Sequence, residues 1–537
     1  MPFRLAPALF ALLLLAAPAA HAQLSEPDGL ATEAGLKSAG VANGDSDDLV
    51  LATTPCVNGF AGVYACSGID LAARLPLSSF TPSPPSALSE VWGWTDPQTG
   101  KEIALVGLSN GIGFVDVTVP DAPVYLGKLP SAVSDPSGAA WRTFRTDGTY
   151  LFVGSEMSGH GVQVFNLTRL RGVTAPQSFT ADARYTRVSN VHTLTALNGY
   201  LYLAGSNSTV GATNPTCTAG GLHIVDVRNP LTPTFAGCYQ GDGYTHEAQC
   251  LTYTGPDATY AGRDLCFAYQ GEPGSTFASE LSVVDMTNKA APARFETAEY
   301  PNVGYSHQGW LTSDSRYILI NDEFDTSAQG VRTVVMNATD LDNIEFAFNS
   351  YGSIATYAHN IFVKGRYAYT SDYTQGLRIL DTSTIASGTL PEVGRFDTFN
   401  QNNGRAYSGQ WMNYPYFASG TVVASDIQNG LFVLRPTALA VAGEAGVPDA
   451  ETGLALSAPA PNPASDQTRF VLSTGAPQHV RVALYDALGR EVRVLLDGLA
   501  DGETELTVRR ETLPTGTYVV RVTGEQGTAT RRVVFAR

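Results

Sequence analysis

The chain of 537 residues carries few charged side chains, only 15% of the total, and most of them are acidic. Lys and Arg number 33 against 50 Asp and Glu, so the formal net charge is −17 at neutral pH. No basic stripe interrupts this acidity, which makes nucleic acids and anionic membrane surfaces poor partners. The only long apolar run lies at the N-terminus, so no segment of the mature chain is predicted to cross a bilayer.

The sequence also lacks the short motifs of common catalytic and metal sites. It contains no nucleophile elbow, no phosphate-binding glycine loop, no H-E-x-x-H zinc motif and no carboxylate pair at a recognisable glycosidase spacing. The cysteines never show the C-x-x-C spacing of zinc and redox sites. Any chemistry must therefore come from residues that the fold brings together.

Residues 1–22 (MPFRLAPALFALLLLAAPAAHA) have the three parts of a secretory signal peptide. A basic start is followed by an apolar run and then by a small-x-small cleavage site. Residues 23–50 are predicted to be a flexible segment. Export permits disulfides, and the cysteine count of 6 is even. Proximity in sequence favours three pairs among the many possible ones: Cys56–Cys66, Cys217–Cys238 and Cys250–Cys266.

A short apolar pattern recurs in the middle of the chain, and most copies end in Asp or Asn before a proline-rich turn. The copies are IGFVDV (112–117), VQVFNL (162–167), LHIVDV (222–227), LSVVDM (281–286), RTVVMN (332–337), LRILDT (377–382) and LFVLRP (431–436). Other strand patterns precede and follow most of them, which gives four short strands in each repeat of about 50 residues. Such repeats are typical of the blades of a β-propeller.

We therefore predict an all-β chain with a seven-bladed β-propeller over residues 51–436. The last repeat ends without a fourth strand, whereas residues 69–80 resemble a fourth strand that no blade precedes. The N-terminal strand is expected to complete the last blade and close the ring, because closure removes exposed sheet edges. An Ala- and Gly-rich linker over residues 437–455 follows.

The repeats resemble LVIVD repeats, and residues 50–436 resemble the choice-of-anchor B family of secreted bacterial proteins. The supporting segments are CVNGFAGVYAC (56–66) with IDLAARLPL after it, Gly255 to Asp257, Gly262 to Cys266, His307 to Trp310 and Asn321 to Glu323. The resemblance implies a shared propeller joined to differing sorting segments, and it brings no established enzymatic activity.

Residues 456–537 contain Arg but no Lys, and their alternating strand patterns predict a small, seven-strand, Ig-like β-sandwich. They resemble the type A sorting domain of type IX (Por) secretion through Asn462, Pro463, Tyr485, Gly489, Arg490, Gly516 and Tyr518. The resemblance implies that type IX machinery exports the chain to the medium or the outer cell surface. It also implies that the tail is cleaved and that the body is released or attached to surface polysaccharide.

Histidines occur at the same place in four repeats, where the predicted first strand begins: His192, His246, His307 and His359. The corresponding positions elsewhere are assigned to Trp92, Trp141 and Ser408. The predicted second strands end in acidic or amide residues: Glu156, Asn207, Glu272, Asp322, Glu323 and Asp372. These two strand ends share one edge of an antiparallel meander, so the side chains should gather near the mouth of the central channel.

Two interpretations of this histidine set follow. Imidazoles with carboxylates suit a divalent transition metal, whereas carboxylates with carbonyls suit Ca²⁺. The alternative is structural and is favoured, since WD-type propellers use a histidine bonded to an acid of the same blade to lock strands together. Only a metal site needs the imidazole nitrogens to converge to about 2.0–2.2 Å from one point.

The leading functional hypothesis is a secreted or surface-displayed binding protein for a glycan or another macromolecule. The alternative is a metal-dependent extracellular hydrolase or oxidoreductase that uses the histidines with Glu272, Glu323 or Asp372. A third hypothesis is adhesion stabilised by Ca²⁺ in acidic loops. A cofactor, under the last two hypotheses, would be a divalent metal.

Overall fold

The structure, a computed structural model, describes residues 49–134, 141–208, 217, 220–270, 281–437, 439, 454–457, 459–462, 464–485, 491–511, 513–524 and 527–535. The chain divides into two compact units, which are described separately. The first unit takes residues 1–52, 72–391 and 397–433, and the second takes residues 53–71, 392–396 and 434–537. The described parts of both units consist mainly of β-strands.

Antiparallel sheets follow one another along the first unit, and they are numbered 1 to 7 in chain order. Their first strands are Leu88–Thr95, Arg142–Asp147, Thr193–Leu197, Glu247–Thr252, Ser306–Leu311, Asn360–Lys364 and Gln410–Tyr414. Their second strands are Glu102–Leu108, Tyr150–Ser155, Tyr200–Ala204, Asp264–Tyr269, Tyr317–Asp322, Tyr367–Ser371 and Val422–Asp426. Their third strands are Gly111–Asp116, Val162–Asn166, Leu222–Asp226, Leu281–Asp285, Arg332–Asn337, Leu377–Asp381 and Gly430–Pro436.

Fourth strands complete sheets 1 to 5, and they are Val124–Pro130, Ala183–Tyr185, Thr234–Tyr239, Ala293–Ala298 and Glu345–Tyr351. Short additional strands are Gln177–Ser178, Val188–Asn190 and Asn207–Ser208. Single 3-10 turns lie at Leu77–Ser79, Leu167–Leu170 and Thr382–Ser387. Disulfides join Cys217 to Cys238 and Cys250 to Cys266, and the second of these crosses the first two strands of sheet 4.

The Asp or Asn that ends most third strands has a local structural role. Its side-chain oxygen accepts a hydrogen bond from the backbone N–H two residues later, as in an Asx turn. The donors lie at Thr118, Thr168, Arg228, Thr287, Thr339 and Ser383. The recurring acidic position is thereby explained by chain reversal and needs no ligand.

A glycine before or at the start of the third strand has a second recurring role, because the fourth strand passes very close to it. A Cβ at Gly111, where φ is +152°, would lie 2.3 Å from the carbonyl oxygen of Leu129. At Gly430, where φ is +98°, it would lie 2.1 Å from that of Leu75. Only glycine leaves room for this backbone approach.

The core of the first unit consists of layers between successive sheets. One layer packs Phe114 of sheet 1 on Phe165 of sheet 2, with ring centroids 5.1 Å apart. Another joins sheet 7 to sheet 1 through side chains such as Val433 and Leu88. The first strands also contact one another from sheet to sheet, and Gln410–Tyr414 contacts Leu88–Thr95. Because sheets are covered on both faces, their third strands are buried along nearly their whole length rather than at alternate residues.

Sheet 7 takes its fourth strand from the N-terminal side, as the sequence predicts. The hydrogen-bonded order is Ile69–Leu75, Gly430–Pro436, Val422–Asp426 and Gln410–Tyr414. Within the first unit, Nε of Arg74 donates to the carbonyl oxygen of Asn429 at 2.8 Å. The strand ends before residue 80 because Pro76 introduces the short turn at Leu77–Ser79.

The second unit contains the Cys56–Cys66 disulfide and short strands at Phe60–Ala61, Tyr64–Ser67 and Glu392–Phe396. Cys66 pairs with Phe396, so these segments are neighbours in the same ladder. The remaining strands are Leu454–Leu456, Gln467–Tyr485, Glu491–Arg509, Gly516–Gly524 and Gly527–Phe535.

The prediction of seven short strands in the tail is wrong for the described residues. The segments RFVLS and HVRVALY belong to one strand of 19 residues, Gln467–Tyr485. Gly475 to Pro477, which suggested a turn, instead fall where the ladder register shifts between Thr474 and Gln478. A proline is tolerated there because a bulge does not need its missing N–H.

Candidate functional site

Six aromatic side chains from neighbouring sheets pack in a continuous row at the beginning of the first strands. Ring centroids lie 4.2 Å apart for His192 and His246, 4.4 Å for His246 and His307, and 4.2 Å for His307 and His359. The row continues from His359 to Trp411 at 4.5 Å, and from there to Trp141 at 4.1 Å. The four histidines therefore meet, although they are separated by about 50 residues in sequence.

Two positions of the sequence alignment between repeats need correction. Trp411 lies opposite a register shift between Gln410 and Met412, just as His307 lies between Ser306 and Gln308. In sheet 7, the residue that belongs to the aromatic row is therefore Trp411 rather than Ser408. In sheet 1 the matching shift falls at residues 89 and 90, whereas Trp92 pairs with Leu105 further along the strand.

Hydrogen bonds fix the tautomers of three histidines. Nδ1 of His246 lies 3.0 Å from the carbonyl oxygen of His307, and Nδ1 of His359 lies 2.7 Å from that of Trp411. A carbonyl only accepts, so each Nδ1 carries the proton and each Nε2 carries the lone pair. Nδ2 of Asn360 also lies 2.8 Å from Nδ1 of His359, but this amide donates to the same Trp411 carbonyl at 3.0 Å, so the carbonyl accepts from both groups. Nδ1 of His192 bonds instead to Oε1 of Glu156 at 2.6 Å. These partners lie in neighbouring sheets, unlike the acid of the same blade that the WD-type interpretation predicts.

Glu323 brings a carboxylate to the middle of this row. Its Oε2 lies 3.7 Å from Nε2 of His307, and its Oε1 accepts a hydrogen bond from the hydroxyl of Tyr373 at 2.6 Å. One ligand atom each from His307, Glu323 and His359 lies within 4.8 Å of the others. All three side chains are buried. The structure thus brings together three of the residues that the sequence singled out.

Burial controls the protonation of the histidines. It lowers the pKa of His359 to about 3 and moves the pKa values of His246 and His307 well below the ordinary 6.5. Each imidazole in the row also disfavours a proton on its neighbours. His246, His307 and His359 are therefore neutral at physiological pH, and neutral imidazole is the form that binds metals.

The other acids predicted for this site have structural roles. Asp322 accepts hydrogen bonds from the backbone N–H groups of Gly304 and Tyr305, both at 2.7 Å, and it contacts Arg332. Asp372 accepts from Nε of Arg378 at 2.6 Å and from Thr370. Both carboxylates are already used within their own sheets. Glu272 lies outside the described residues.

A half-buried aromatic surface borders the histidine row, and sequence reasoning did not find it. Tyr357 and Tyr407 stack with centroids 4.6 Å apart and planes inclined by 13°. Tyr407 also contacts Tyr373 and Phe324 edge to face. We call Phe324, Tyr357 and Tyr407 the aromatic platform. Its members lie in loops before or after strands, where no periodic pattern marks them.

An acidic cluster of Asp257, Asp340 and Asp342 also offers ligand atoms within 4.8 Å of one another. Its carboxylates already accept hydrogen bonds: Asp257 from the N–H of Leu341 at 3.1 Å, and Asp342 from the hydroxyl of Tyr260. Two of the three are exposed. The cluster gives no support to a Ca²⁺ site.

Comparison with protein-family models places two known segments in the chain. Residues 460–536 match the secretion system C-terminal sorting domain. Residues 216–241 and 355–398 match the LVIVD repeat. The protein is therefore an extracellular or cell-surface protein with a type IX sorting tail and LVIVD repeats. A search of curated proteins found no significant match.

Several solved structures are distantly similar to the chain. The extracellular domain of BT4673 from B. thetaiotaomicron is 11% identical, with a TM-score of 0.40, over 86% of this chain. The chain spans 58% of the length of that structure. The β-propeller domain of Cps50 (Swd1) from Myceliophteria thermophila is 11% identical, with a TM-score of 0.37, over 65% of this chain and 99% of that one. The computationally designed Ika8 protein is 9% identical over 73% of this chain and 97% of its own, with a TM-score of 0.40.

The described sorting-motif residues hold the tail together. Oδ1 of Asn462 accepts a hydrogen bond from the N–H of Val534 at 2.7 Å, and the hydroxyl of Tyr518 donates to the carbonyl of Pro514 at 2.9 Å. The guanidinium of Arg521 lies 4.7 Å from the ring centroid of Tyr485. Pro463, Gly489 and Arg490 lie outside the described residues. Among the described residues, none of the helices has the length and apolarity of a membrane span.

Proposed function

We propose that the protein is a secreted binding protein with a seven-bladed propeller body that holds a glycan on the aromatic platform. The observation that carries the proposal is the Tyr357–Tyr407 stack, which keeps two half-buried aromatic side chains together beside the histidine row. Soluble proteins seldom leave aromatic rings partly exposed together without a binding role. Sugars present apolar C–H faces that such rings cover.

The surroundings of the platform supply polar groups as well as ring faces. The loop before Tyr407 contains Gln401-Asn-Asn-Gly-Arg405, and all five of these residues are exposed. Amides and a guanidinium are suited to hydroxyl groups, and a few convergent polar groups beside aromatic rings are typical of ligand sites. A neutral or acidic oligosaccharide fits this mixture better than an extended apolar peptide.

The seven-blade count and the domain limits belong to the same proposal. Support for a closed ring comes from the contact between Gln410–Tyr414 and Leu88–Thr95 and from the apolar layer between sheets 7 and 1. Support for an Ig-like tail comes from one core cluster that includes Phe470 and Val482, near the two ends of the same long strand. We assign residues 51–436 to the propeller, 437–455 to a linker and 456–537 to the sorting domain.

Glycan binding is tested with oligosaccharide arrays, followed by calorimetric titration of the best-bound sugar. Tyr407→Ala removes one face of the stack, and we expect its affinity to fall at least about tenfold, because ring burial on a ligand is worth more than 1 kcal/mol. Tyr351→Ala is the matched control, since Tyr351 is an exposed tyrosine on the fourth strand of sheet 5.

The control should bind as the wild type does. Failure of the wild-type protein to bind any arrayed glycan would refute the proposal. So would an equal loss of affinity in both variants, because the effect would then not come from the platform.

A further inference from the structure

We propose that His307, His359 and Glu323 bind one divalent transition-metal ion, with Tyr373 orienting the carboxylate. This proposal goes beyond glycan binding and does not depend on it. Two imidazole nitrogens and one carboxylate are a ligand set for zinc, and also for iron, in sites that keep further positions open. Such a site is what the metal-dependent enzyme considered from the sequence would need.

The distances suit a shared ion. Ligand atoms bound tetrahedrally at 2.0–2.2 Å lie about 3.4 Å from one another. Nε2 of His307 and Oε2 of Glu323 are 3.7 Å apart, and the three ligand atoms fall within 4.8 Å. Side-chain rotations that shift the ligand atoms by about 1 Å are enough to bring all three to one ion.

The imidazole lone pairs are available in the required place. Nε2 of His307 and Nε2 of His359 have no hydrogen-bond partner among the residues that the structure describes. Both histidines are nine-tenths buried or more, and a buried polar atom without a partner needs an explanation. Nδ1 of His359 donates to the carbonyl oxygen of Trp411, and metal-binding histidines commonly orient their second nitrogen in this way.

Tyr373 gives an independent sign of a functional site. Its φ is +46°, a left-handed conformation that a bulky side chain rarely adopts. The backbone is held there because the carbonyl oxygen of Tyr373 accepts from the N–H groups of Gln410 and Gly376. The hydroxyl reaches Oε1 of Glu323, which leaves Oε2 directed at His307. Backbone strain of this kind is concentrated at ligand sites.

The chemistry of the donors favours a transition metal over calcium. Ca²⁺ takes oxygen ligands, whereas two of the three donors are nitrogens. Sulfur is excluded, since all the cysteines are in disulfides and none is free. Two imidazole nitrogens and one carboxylate are suited to Zn²⁺, Fe²⁺, Co²⁺ or Mn²⁺. The relative affinities of the site for these ions should follow the Irving–Williams order.

The test uses the exported protein without a polyhistidine tag. After treatment with a chelator and desalting, we expect it to bind one Zn²⁺ or one Co²⁺ per chain, measured by elemental analysis and by competition with a chromophoric chelator. The Co²⁺ form should show weak visible bands and no thiolate charge-transfer band. Glu323→Gln and His307→Gln should each weaken binding at least about 100-fold, and Tyr373→Phe about 10- to 100-fold.

His160→Gln is the matched control, because His160 is also buried but its Nδ1 bonds to the carbonyl of Gly161 away from the row. It should bind zinc as the wild type does. If His307→Gln fails to fold, zinc binding by Glu323→Gln and Tyr373→Phe still tests the proposed site, because both variants leave the histidine row intact. Retention of less than one ion per chain by the wild type would overturn the proposal, as would wild-type affinity in the Glu323→Gln variant.

Discussion

At the residue scale, one equivalent position in each of sheets 2 to 7 supplies the aromatic row of the first unit. His246 and His359 each donate from Nδ1 to the carbonyl of the next residue in the row. The same hydrogen bond packs neighbouring sheets and leaves Nε2 as the nitrogen with a lone pair. A structural role and a ligand role are therefore compatible, although the sequence presents them as alternatives.

The sequence predicts part of this site for a clear physical reason. A repeat converts equal spacing along the chain into neighbours around an axis, so His307, His359 and Glu323 can be selected from periodicity alone. Trp411 cannot be selected in this way because its repeat has no histidine to mark the position, and Tyr373 cannot because an unusual φ places it. The aromatic platform depends on loop conformation and leaves no periodic signal.

The buried histidines outside the row predict an acid-sensitive fold. Burial lowers the pKa of His160 and of His223 to about 4. Each of these histidines binds a proton less readily in the folded state than in the unfolded state. Its contribution to the stability of the fold is therefore complete above the unfolded-state pKa of 6.5 and is lost as the pH falls towards 4. Between pH 7.5 and pH 5, each histidine should lower the free energy of unfolding by about 2 kcal/mol.

His223→Gln tests this pH dependence. All the tryptophans (92, 94, 141, 310 and 411) lie in the first unit, so their fluorescence reports its unfolding by urea. The difference between the free energies of unfolding at pH 7.5 and pH 5 should be smaller in the variant by about 2 kcal/mol. An unchanged difference would show that His223 is protonated to the same extent in both states.

At the element scale, the third strands are the best-predicted parts of the molecule. They are mostly apolar and buried along nearly their whole length because both faces are covered, and an Asx turn ends most of them. The fourth strands are less distinct, since a strand such as Glu345–Tyr351 is exposed or half-buried along its whole length. The sequence does not predict the long strand Gln467–Tyr485, because Gly475 and Pro477 are as typical of a turn as of the bulge in which they lie.

The close approach of third and fourth strands predicts a sensitive glycine. Gly430→Ala would place a Cβ 2.1 Å from the carbonyl oxygen of Leu75, where backbone and not a flexible side chain must move. We expect the free energy of unfolding of the first unit to fall by about 2–4 kcal/mol. Tryptophan fluorescence during urea unfolding measures the change.

Gly420→Ala is the matched control for this prediction. Gly420 also has a positive φ, +79°, but a Cβ there meets no atom within 4 Å. Only the conformational cost of the left-handed region remains, about 1 kcal/mol. An equal decrease in the free energy of unfolding in the two variants would mean that the strands around Gly430 and Leu75 separate easily. The close contact with Leu75 would then not stabilise the edge of sheet 7.

At the scale of the whole molecule, the ends of the chain have different tasks. The strand Ile69–Leu75 completes sheet 7 beside Gly430–Pro436 and thereby covers the edge of that strand. Residues 460–536, at the C-terminal side, match a sorting domain, whereas the histidine row belongs to the first unit. Binding and export are thus assigned to separate parts of the sequence, and each can be removed by itself.

Removal of residues 456–537 should therefore block export without unfolding the body. In a host with type IX machinery, the truncated chain should accumulate in the periplasm, while the full chain reaches the medium or the cell surface. Cell fractionation followed by immunoblotting measures the distribution. Retained tryptophan fluorescence and retained zinc binding in the periplasmic protein would show that the first unit is intact.

The reciprocal fusion protein makes the test decisive. Residues 456–537 joined to a folded periplasmic reporter should carry that reporter to the cell exterior, because the tail contains the whole of the matched segment 460–536. Asn462→Ala in this fusion should reduce export, since Asn462 accepts the hydrogen bond that anchors the last strand at Val534. A truncated chain that still reaches the medium in full amount would mean that the export information lies elsewhere in the protein.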